Sequence, residues 1–371
     1  MFFIRHLTLL CCIVSLTLTS AETVPTLAIG ASAPAFNLPG VDGKNHTLDE
    51  YKDARILVIL FTCNHCPTAQ AYEARIQSIV NDYQTKGVTL VAINPNNNRS
   101  IRLSELGYSE MGDSLAEMKI RAADHHFTYN YLDDGDTQSV SRAYGPRVTP
   151  HVFVFDASRT LRYEGRIDDS ERLSLVKNND LRLALDALIA GKEPISPHTK
   201  VAGCTTKWFG KEESVKDYYA QVAAEPVTLE LADAAALTAL SANATKKLRL
   251  ITAWNTTCAP CVHELPEFVT INRMYRKRDF ELITVSTNFP DEHAPALKVL
   301  SENQVAMKNV IFADNDKFKL MEALDPEWQG ETPYTILVAP GGKIVKRWVG
   351  TIEPLVVKRS IVELLGRVYG K

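Results

Sequence analysis

The sequence that decides the fold reads RILVILFTCNHCP over residues 55–67. Residues 55–61 form an apolar run of the kind found in strands buried on both faces, and two cysteines separated by two residues follow. Residues 68–83 then place apolar side chains at helical spacing. The stretch therefore predicts a buried strand that leads into a helix, with Cys63 and Cys66 at the junction.

The same arrangement occurs again in the second half of the chain. Residues 248–254 form an apolar run, Cys258 and Cys261 follow, and a helical pattern continues through Tyr275. Each half then continues with strands and helices, a Thr-Pro pair, a hairpin and a closing helix, which in the first half is expected over residues 173–190. Because single hydrophobic cores stop growing well before 371 residues, we predict a domain-sized duplication.

Composition and charge limit the class of protein. Hydrophobic residues make up 45% of the chain and charged residues 23%, as in ordinary globular proteins. The formal net charge is -3, and no run of lysine or arginine is long enough to form a basic stripe. Since such a stripe is the electrostatic signature of nucleic-acid binding, we predict no nucleic-acid partner.

The N-terminal residues have the pattern of a signal peptide over residues 1–21. A basic start precedes an apolar run that is short for a bilayer span, and small residues follow at the expected cleavage position. We therefore predict a secreted or periplasmic protein with no stable membrane span after cleavage; an uncleaved anchor is the alternative. Removal of this segment takes away Cys11 and Cys12 and leaves two close cysteine pairs and Cys204.

The position of each pair suggests redox chemistry. A cysteine at a helix N-terminus is stabilised as the thiolate by unpaired backbone N–H groups and the helix dipole. We expect the first cysteine of each pair to lie there and to act as nucleophile, and the second to resolve the mixed disulfide. The predicted redox groups are the disulfides Cys63–Cys66, called the first centre, and Cys258–Cys261, called the second centre, with no other cofactor.

Two stretches of the chain resemble known redox families. Residues 24–208 resemble a redoxin or peroxiredoxin-like subgroup of the thioredoxin superfamily, through GASAPAFNL at residues 30–38, FTCNHCP at 61–67 and TPHVFVFD at 149–156. Residues 226–371 resemble the TlpA and ResA type of thioredoxin. The motif positions that carry the second resemblance are Trp254, Cys258, Cys261, Glu264, Pro266, Thr332 and Pro333.

The resemblance implies an α/β protein of two tandem thioredoxin-like folds, each a central mixed β-sheet flanked by helices, after the signal peptide. We expect a redoxin-like domain over residues 22–205, a linker over 206–225 and a TlpA/ResA-like domain over 226–371. In this superfamily the Thr-Pro segment carries a cis-proline beside the redox centre. A cis X-Pro bond is uncommon and marks a tight backbone turn.

The Thr-Pro segments also imply how substrates bind. Pro150 and Pro333 are expected to lie against their disulfides. Neither can offer an N–H, and each leaves the backbone of the preceding residue, Thr149 or Thr332, free to pair with an extended substrate strand. We therefore expect these four residues to bind substrate.

The two centres differ in the residues around the cysteines. His65 lies between Cys63 and Cys66, where an imidazolium would stabilise the Cys63 thiolate and make the disulfide more oxidising. In the second centre, Glu264 follows Cys261 by three residues, and the resembling family keeps an acid there that manages the proton of the resolving thiol. We predict that the first centre is the stronger oxidant.

The sequence favours a thiol-disulfide oxidoreductase that exchanges disulfides with protein substrates and a redox partner protein. Either pair could instead be a structural disulfide, but the pairs lie too far apart in sequence for a typical Cys₄ zinc site, so no metal is predicted. Thiol peroxidase activity is an alternative for the first domain, although Leu60 stands three residues before Cys63, where peroxiredoxins place threonine. A non-enzymatic binding module is another alternative. Cys204 is either a buried small hydrophobic residue or a relay thiol.

Overall fold

The computed structural model describes residues 24–369. The predicted signal peptide, with Cys11 and Cys12, lies outside the described residues. Among the residues that are described, no helix is both long enough and apolar enough to cross a membrane.

Short and long strands alternate with helices along the described chain. The strands are β1 (Asn37–Pro39), β2 (Asn45–Thr47), β3 (Ile56–Phe61), β4 (Val88–Asn94), β5 (Asn130–Asp133), β6 (Val148–Thr149), β7 (His151–Phe155), β8 (Leu161–Gly165), β9 (Cys204–Thr205), β10 (Glu230–Ala232), β11 (Leu248–Trp254), β12 (Phe280–Ser286), β13 (Lys308–Phe312), β14 (Tyr334–Val338) and β15 (Ile344–Val349). The α-helices are α1 (Pro67–Tyr83), α2 (Leu115–Asp124), α3 (Ser139–Tyr144), α4 (Asp180–Ile189), α5 (Glu212–Ala223), α6 (Ala234–Ala242), α7 (Ala259–Tyr275), α8 (His293–Glu302), α9 (Lys317–Leu324) and α10 (Pro354–Leu365).

The N-terminal unit is built on a five-stranded sheet in the order β5-β4-β3-β7-β8. β3 pairs in parallel with β4 and antiparallel with β7, so the sheet is mixed. Every residue of β3 is buried because the strand packs on both faces. Its alternate side chains Ile56, Val58 and Leu60 contact the core beneath α1, α2 and α4, whereas those between them face α3.

The C-terminal unit repeats this plan around a six-stranded sheet in the order β10-β13-β12-β11-β14-β15. β11 pairs in parallel with β12 and antiparallel with β14. Leu248 and Leu250 pack beneath α7 and α10, and Ile251 and Ala253 pack beneath α6 and α9 on the other face. The predicted pair of α/β folds, each with a mixed sheet flanked by helices, is confirmed.

The helix expected over residues 173–190 is shorter than predicted. Leu173–Leu175 form a single 3-10 turn with exposed leucines, and α4 begins only at Asp180. The reason is a polar loop: the Asp169 carboxylate accepts the backbone N–H of Lys177 and the side-chain N–H of Asn178. These bonds hold the backbone before α4 outside helical geometry.

Residues 206–225, expected to be a linker, contain α5, and their first residues pack into the N-terminal unit. Thr206 and Lys207 are buried, Thr206 donates to the Pro146 carbonyl, and the Lys207 N–H donates to Asn96 Oδ1 at 2.9 Å. The N-terminal unit therefore extends at least to Phe209, whose N–H donates to Gln138 Oε1 at 2.7 Å.

The two units contact each other through the segment between β4 and α2. Ile101 and Leu106 of this segment are buried in the core of the C-terminal unit, beside α7. The Tyr275 hydroxyl at the end of α7 donates to the Ser109 carbonyl at 2.9 Å, and Arg278 donates to the Gly107 carbonyl at 2.6 Å. The C-terminal end of α7 thus lies against the N-terminal unit.

Two candidate redox centres

In the first centre the helix begins after the second cysteine. Cys66 is the N-cap of α1, and its Sγ accepts the backbone N–H of Ala69 at 3.5 Å. The expectation that Cys63 lies at the helix N-terminus is wrong, because Cys63 lies in the loop before it. Pro67 explains the shift: its fixed φ and missing N–H favour the first helical position, which makes the preceding residue the cap.

Thr149 joins the two sulfurs of the first centre. Its Oγ1 lies 3.2 Å from Cys63 Sγ, and its carbonyl oxygen lies 3.3 Å from Cys66 Sγ, which donates to it when protonated. The Thr149–Pro150 bond is cis, as is expected for this segment. Since His151 pairs with Phe61, Pro150 lies opposite Thr62, next to Cys63. The fold therefore brings Thr149 and Pro150 to the first centre.

His65 forms a buried ion pair with Asp113, for which the sequence contained no signal. The His65 Nδ1 lies 2.6 Å from Asp113 Oδ2, and both side chains are buried. Asp113 also accepts the backbone N–H groups of Asn64 and His65 and the side-chain N–H of Asn96. Burial alone would lower the pKa of His65, but the Asp113 charge outweighs it and raises the pKa. The Asp113 charge therefore favours the imidazolium form of His65.

The surroundings of the two cysteines assign the thiolate to Cys66. Burial raises the pKa of Cys63 well above its ordinary value, and the neighbouring Cys66 and Asp113 raise it further. Burial would also raise the pKa of Cys66, but hydrogen bonds from Cys204 and Cys63 and the charge of His65 hold it well below its ordinary value. These shifts favour the thiolate at Cys66 over Cys63, and the charge of His65 acts on Cys66 and not, as expected, on Cys63.

Three side chains of the first centre could in principle ligate a metal. The ligand atoms of Cys63, His65 and Asp113 all lie within 4.8 Å of one another. However, both Asp113 oxygens already accept hydrogen bonds from N–H groups, and His65 Nδ1 is used in the contact with Asp113. The arrangement favours a protonated ion pair over a metal ion.

Cys204 lies beside the first centre through a short strand pair. β9 pairs antiparallel with β6, which places Cys204 directly opposite Thr149. Cys204 packs against Cys63, Cys66 and Ala69, and its thiol is within hydrogen-bonding reach of Cys66. The backbone of Thr149, expected to be free for a substrate strand, is therefore occupied by the protein's own β9.

The C-terminal unit covers this side of the first centre. The rings of Tyr108 and Tyr369 are 4.8 Å apart, and the Arg278 guanidinium lies 3.8 Å from the Tyr108 ring centroid. The Tyr369 hydroxyl is within hydrogen-bonding reach of Cys204. Cys63 and Cys66 are both buried, whereas Cys204 is partly exposed. Of these three cysteines, only Cys204 is partly exposed.

The second centre is more open. Cys258 is the N-cap of α7, as predicted, and forms a disulfide with Cys261 across a Cα–Cα distance of 5.3 Å. Its Sγ accepts the Cys261 backbone N–H at 3.3 Å. Cys258 is partly exposed, Ala259 and Pro260 are exposed, and Cys261 is buried. An incoming thiolate can therefore reach Cys258 first.

The predicted neighbours of the second centre lie at the same end of its sheet. The Thr332–Pro333 bond is cis, and because Tyr334 pairs with Ala253, Pro333 lies opposite Trp254 at the end of β11. Within residues 24–369, no strand pairs with Thr332, which is partly exposed. Its backbone is free for an extended substrate.

Glu264 lies one helical turn after Cys261 on α7. Its side chain is buried, its Oε1 accepts the Ile352 backbone N–H, and its Oε2 is buried without a hydrogen-bond partner in the described part of the chain. Burial raises the pKa of Glu264, and the Ile352 bond only partly offsets this. Burial therefore favours the protonated form of this carboxyl group.

Helix α7 separates the two centres. Cys258 lies at its N-terminal end, whereas its C-terminal end contacts the Ser109 carbonyl. The first centre lies near that segment, because Gln70 on α1 donates to the Tyr108 carbonyl and Asn64 donates to the Gly112 carbonyl. A helix of 17 residues is about 25 Å long. The two centres therefore do not exchange electrons by direct contact in this arrangement.

Comparison with known families identifies the repeat. The model of the AhpC/TSA family matches residues 29–164 and again residues 222–347. The chain belongs to the AhpC/TSA family. This result confirms the prediction of a redoxin of the thioredoxin-like oxidoreductase class, and the two matches correspond to the two units of the fold.

Individual relatives match parts of the chain. A candidate peroxiredoxin of Mycobacterium tuberculosis is 32% identical over 69 residues, which are 19% of this chain and 44% of that protein. The chain thus spans less than half the length of this curated relative. A hypothetical protein from Sinorhizobium meliloti is 32% identical, with a TM-score of 0.44, covering 50% of this chain and 96% of its own. A candidate thiol:disulfide interchange protein DsbE from Chlorobium tepidum is 21% identical, with a TM-score of 0.30. The match covers 38% of this chain and 85% of that protein.

Proposed function

We propose that this protein is an extracytoplasmic thiol-disulfide oxidoreductase with two redox centres of unequal access. The observation that carries the proposal is the same in both units. A cysteine caps a helix N-terminus, a second cysteine lies three residues away, and a cis Thr-Pro segment ends at the same place in the sheet. The extracytoplasmic location rests on the signal-peptide pattern of residues 1–21.

The second centre exchanges disulfides directly with protein substrates. A substrate thiolate attacks the exposed Cys258 sulfur, the bond to Cys261 breaks, and the Cys261 thiolate leaves. Glu264 supplies the proton to Cys261, or removes it in the reverse direction, because its raised pKa lets it hold a proton. The substrate backbone pairs with Thr332 beside Pro333.

The first centre uses Cys66 as its nucleophile and Cys63 as its resolving thiol. The Cys66 thiolate is stabilised by the Ala69 N–H, by its neighbouring thiols and by His65. Stabilising the thiolate stabilises the reduced form, so this centre is the stronger oxidant of the two. Redox titration against glutathione of full-length Cys63→Ser/Cys66→Ser and Cys258→Ser/Cys261→Ser variants measures each centre, and a higher potential for the second centre would contradict the assignment.

Insulin reduction by the full chain tests the proposed function. We expect the Cys258→Ser/Cys261→Ser variant to lose nearly all turnover, because insulin chains reach only the second centre. The Cys63→Ser/Cys66→Ser variant should keep most of its turnover. A wild type that does not reduce insulin would support a non-enzymatic binding module instead, and full turnover in both variants would contradict the difference in access between the centres. Mixed disulfides trapped with Cys261→Ser then identify the substrates.

Thiol peroxidase activity is a second candidate for the first centre, favoured by the AhpC/TSA family and by the peroxiredoxin relative. The Cys66 thiolate would attack the peroxide to form a sulfenic acid and release an alkoxide, and the Cys63 thiol would then close the disulfide with loss of water. Cys63 itself stands three residues before Cys66, where peroxiredoxins place threonine. Peroxide consumption by the wild type that is lost in Cys66→Ser and kept in Cys258→Ser would establish this activity.

A further inference from the structure

The strand β9 occupies the place where a thioredoxin-like centre receives its substrate. Cys204 pairs with Thr149, the residue before the cis-proline, and its thiol meets the nucleophile Cys66. An extended substrate whose cysteine entered the first centre would make these same contacts. Cys204 therefore lies where the cysteine of a bound substrate would lie.

The structure holds β9 in this position by close backbone packing. A Cβ on Gly203 would lie 2.1 Å from the Thr149 carbonyl oxygen, so only glycine allows this approach. On the other side, the Thr206 hydroxyl donates to the Pro146 carbonyl at 2.7 Å. Both neighbours of the strand thus fix it against the segment before Pro150.

We propose that Cys204 is a third redox-active cysteine, which forms a disulfide with Cys66 and connects the buried first centre to an external thiol. This inference rests on the proposed thiol-disulfide chemistry of Cys63 and Cys66. This disulfide gives the buried first centre a route for electrons that does not pass through the distant second centre.

The exchange is balanced within the protein. The Cys204 thiolate attacks the Cys66 sulfur of the Cys63–Cys66 disulfide, the Cys66–Cys204 bond forms, and the Cys63–Cys66 bond breaks. Cys63 leaves as a thiolate and takes up the proton that Cys204 gave up, so no external oxidant or reductant is needed. Thr149 Oγ1, 3.2 Å from Cys63 Sγ, is placed to hydrogen-bond the departing thiolate.

The external thiol then reduces the Cys66–Cys204 disulfide. Cys204 is the partly exposed cysteine, whereas Cys66 is buried. A thiolate of a protein dithiol attacks Cys204 and releases Cys66. Because its surroundings hold the pKa of Cys66 well below its ordinary value, Cys66 is a good leaving group. The partner's second thiol resolves the mixed disulfide with Cys204.

Disulfide mapping of the oxidised full chain tests the proposal. Trypsin places Cys63 and Cys66 together on residues 56–75, Cys204 on residues 201–207, and the second centre on residues 250–273. After equilibration with oxidised glutathione and alkylation, we expect a cross-linked species of 56–75 with 201–207 in the wild type. Cys63→Ser should convert nearly all of the protein to this species, and Cys66→Ser should lower its yield at least tenfold.

Three results separate the possible failures. The cross-link in the wild type, raised in Cys63→Ser and lost in Cys66→Ser, supports the proposal. A Cys63–Cys66 disulfide in the wild type, together with no cross-link in either the wild type or Cys63→Ser, overturns the role of Cys204 and leaves the proposed function intact. Residues 56–75 recovered with free thiols at every glutathione ratio overturn both.

A kinetic measurement gives a second test in the same samples. Cys204→Ser should slow reduction of the first centre by an added thioredoxin-type dithiol at least tenfold, with the reduction rate of Cys258–Cys261 as the internal reference. Equal slowing of both centres would show damage to the fold, and an unchanged rate at the first centre would overturn the proposal.

Discussion

Cys258 lies partly exposed at the start of α7, whereas Cys66, at the corresponding start of α1, is fully buried beneath Cys204 and Tyr369. Both cysteines cap a helix, and both lie beside a cis Thr-Pro segment. In the second centre the backbone before the proline is free, while in the first centre β9 fills it. The same motif thus occurs in an open centre, which we propose serves protein substrates, and in a closed centre, which we propose exchanges through its own strand.

The two motifs also differ in which cysteine caps the helix. Pro67 follows Cys66 directly, whereas Pro260 follows Cys258 by two residues. The helix consequently starts after the second cysteine in the first centre and after the first cysteine in the second. Identical spacing therefore does not give identical positions; the position of the proline decides which cysteine caps the helix.

Asp113→Asn should have the largest effect, a loss of folding stability that originates in the first centre. The substitution leaves the buried imidazolium of His65 without its counter-charge, and we expect a loss of about 3 kcal/mol in the free energy of unfolding. Urea denaturation at neutral pH measures it. Asp42→Asn is the matched control, because Asp42 pairs with His46 at the surface and should lose less than about 1 kcal/mol.

The pH dependence of this loss follows from the two pKa shifts. The pKa of Asp113 is lowered, so its contribution is lost as pH falls through the folded-state pKa of Asp113. The pKa of His65 is raised, so its contribution is full below about 6.5 and is lost as pH rises through its higher folded-state pKa. The difference between wild type and Asp113→Asn should therefore shrink at both ends, and a difference that is constant with pH would contradict the ion pair.

Gly203→Ala should make the closed centre resemble the open one. Its φ is +155°, and the added Cβ would meet the Thr149 backbone, so β9 must move away. We expect the added Cβ to destabilise the packed position of β9 by about 2 kcal/mol. The alkylation rate of Cys66 in the reduced protein should therefore rise roughly 30-fold. Gly210→Ala is the control, since nothing lies within 4 Å of its Cβ position. Equal rates in the two variants would show that β9 does not close the centre.

His65→Gln should have the smallest effect, on the acidity of Cys66. Loss of the imidazolium removes one of the interactions that lower the pKa of Cys66, and we expect the pKa to rise toward its ordinary value. Thiolate absorbance at 240 nm during a pH titration of the reduced protein, in a Cys258→Ser/Cys261→Ser background, measures the shift. The absorbance step should vanish in Cys66→Ser; its persistence there would assign the thiolate to another cysteine.

The sequence predicted the fold and the two cysteine pairs because both are encoded locally. Apolar runs such as residues 56–61 and 248–254 identify central strands, and each cysteine pair follows directly. The Thr-Pro segments followed from the family resemblance, and both bonds are cis. The helix start at Pro67 was also encoded locally, in the preference of proline for the first helical position, but the shared spacing of the cysteines obscured it.

The remaining features of the site depend on contacts that are distant in sequence. Asp113 lies in a loop before α2 with no motif around it, and only the fold brings it to His65. Cys204 reaches Cys66 because β9 pairs with β6, a register that two residues cannot specify by pattern. Tyr369 comes from the other unit entirely. Sequence therefore identified the reacting groups, and tertiary packing set their access and their charge.

The central claim is that the two centres differ in access, and timed alkylation of the fully reduced native protein tests it most directly. Iodoacetamide is added at neutral pH, and the label is followed by mass spectrometry on residues 56–75, 201–207 and 250–273. We expect Cys258 to react first, Cys204 later, and Cys66 at least about 100-fold more slowly than Cys258, despite its thiolate, because burial blocks the reagent. Labelling of Cys66 as fast as that of Cys258 would contradict the account.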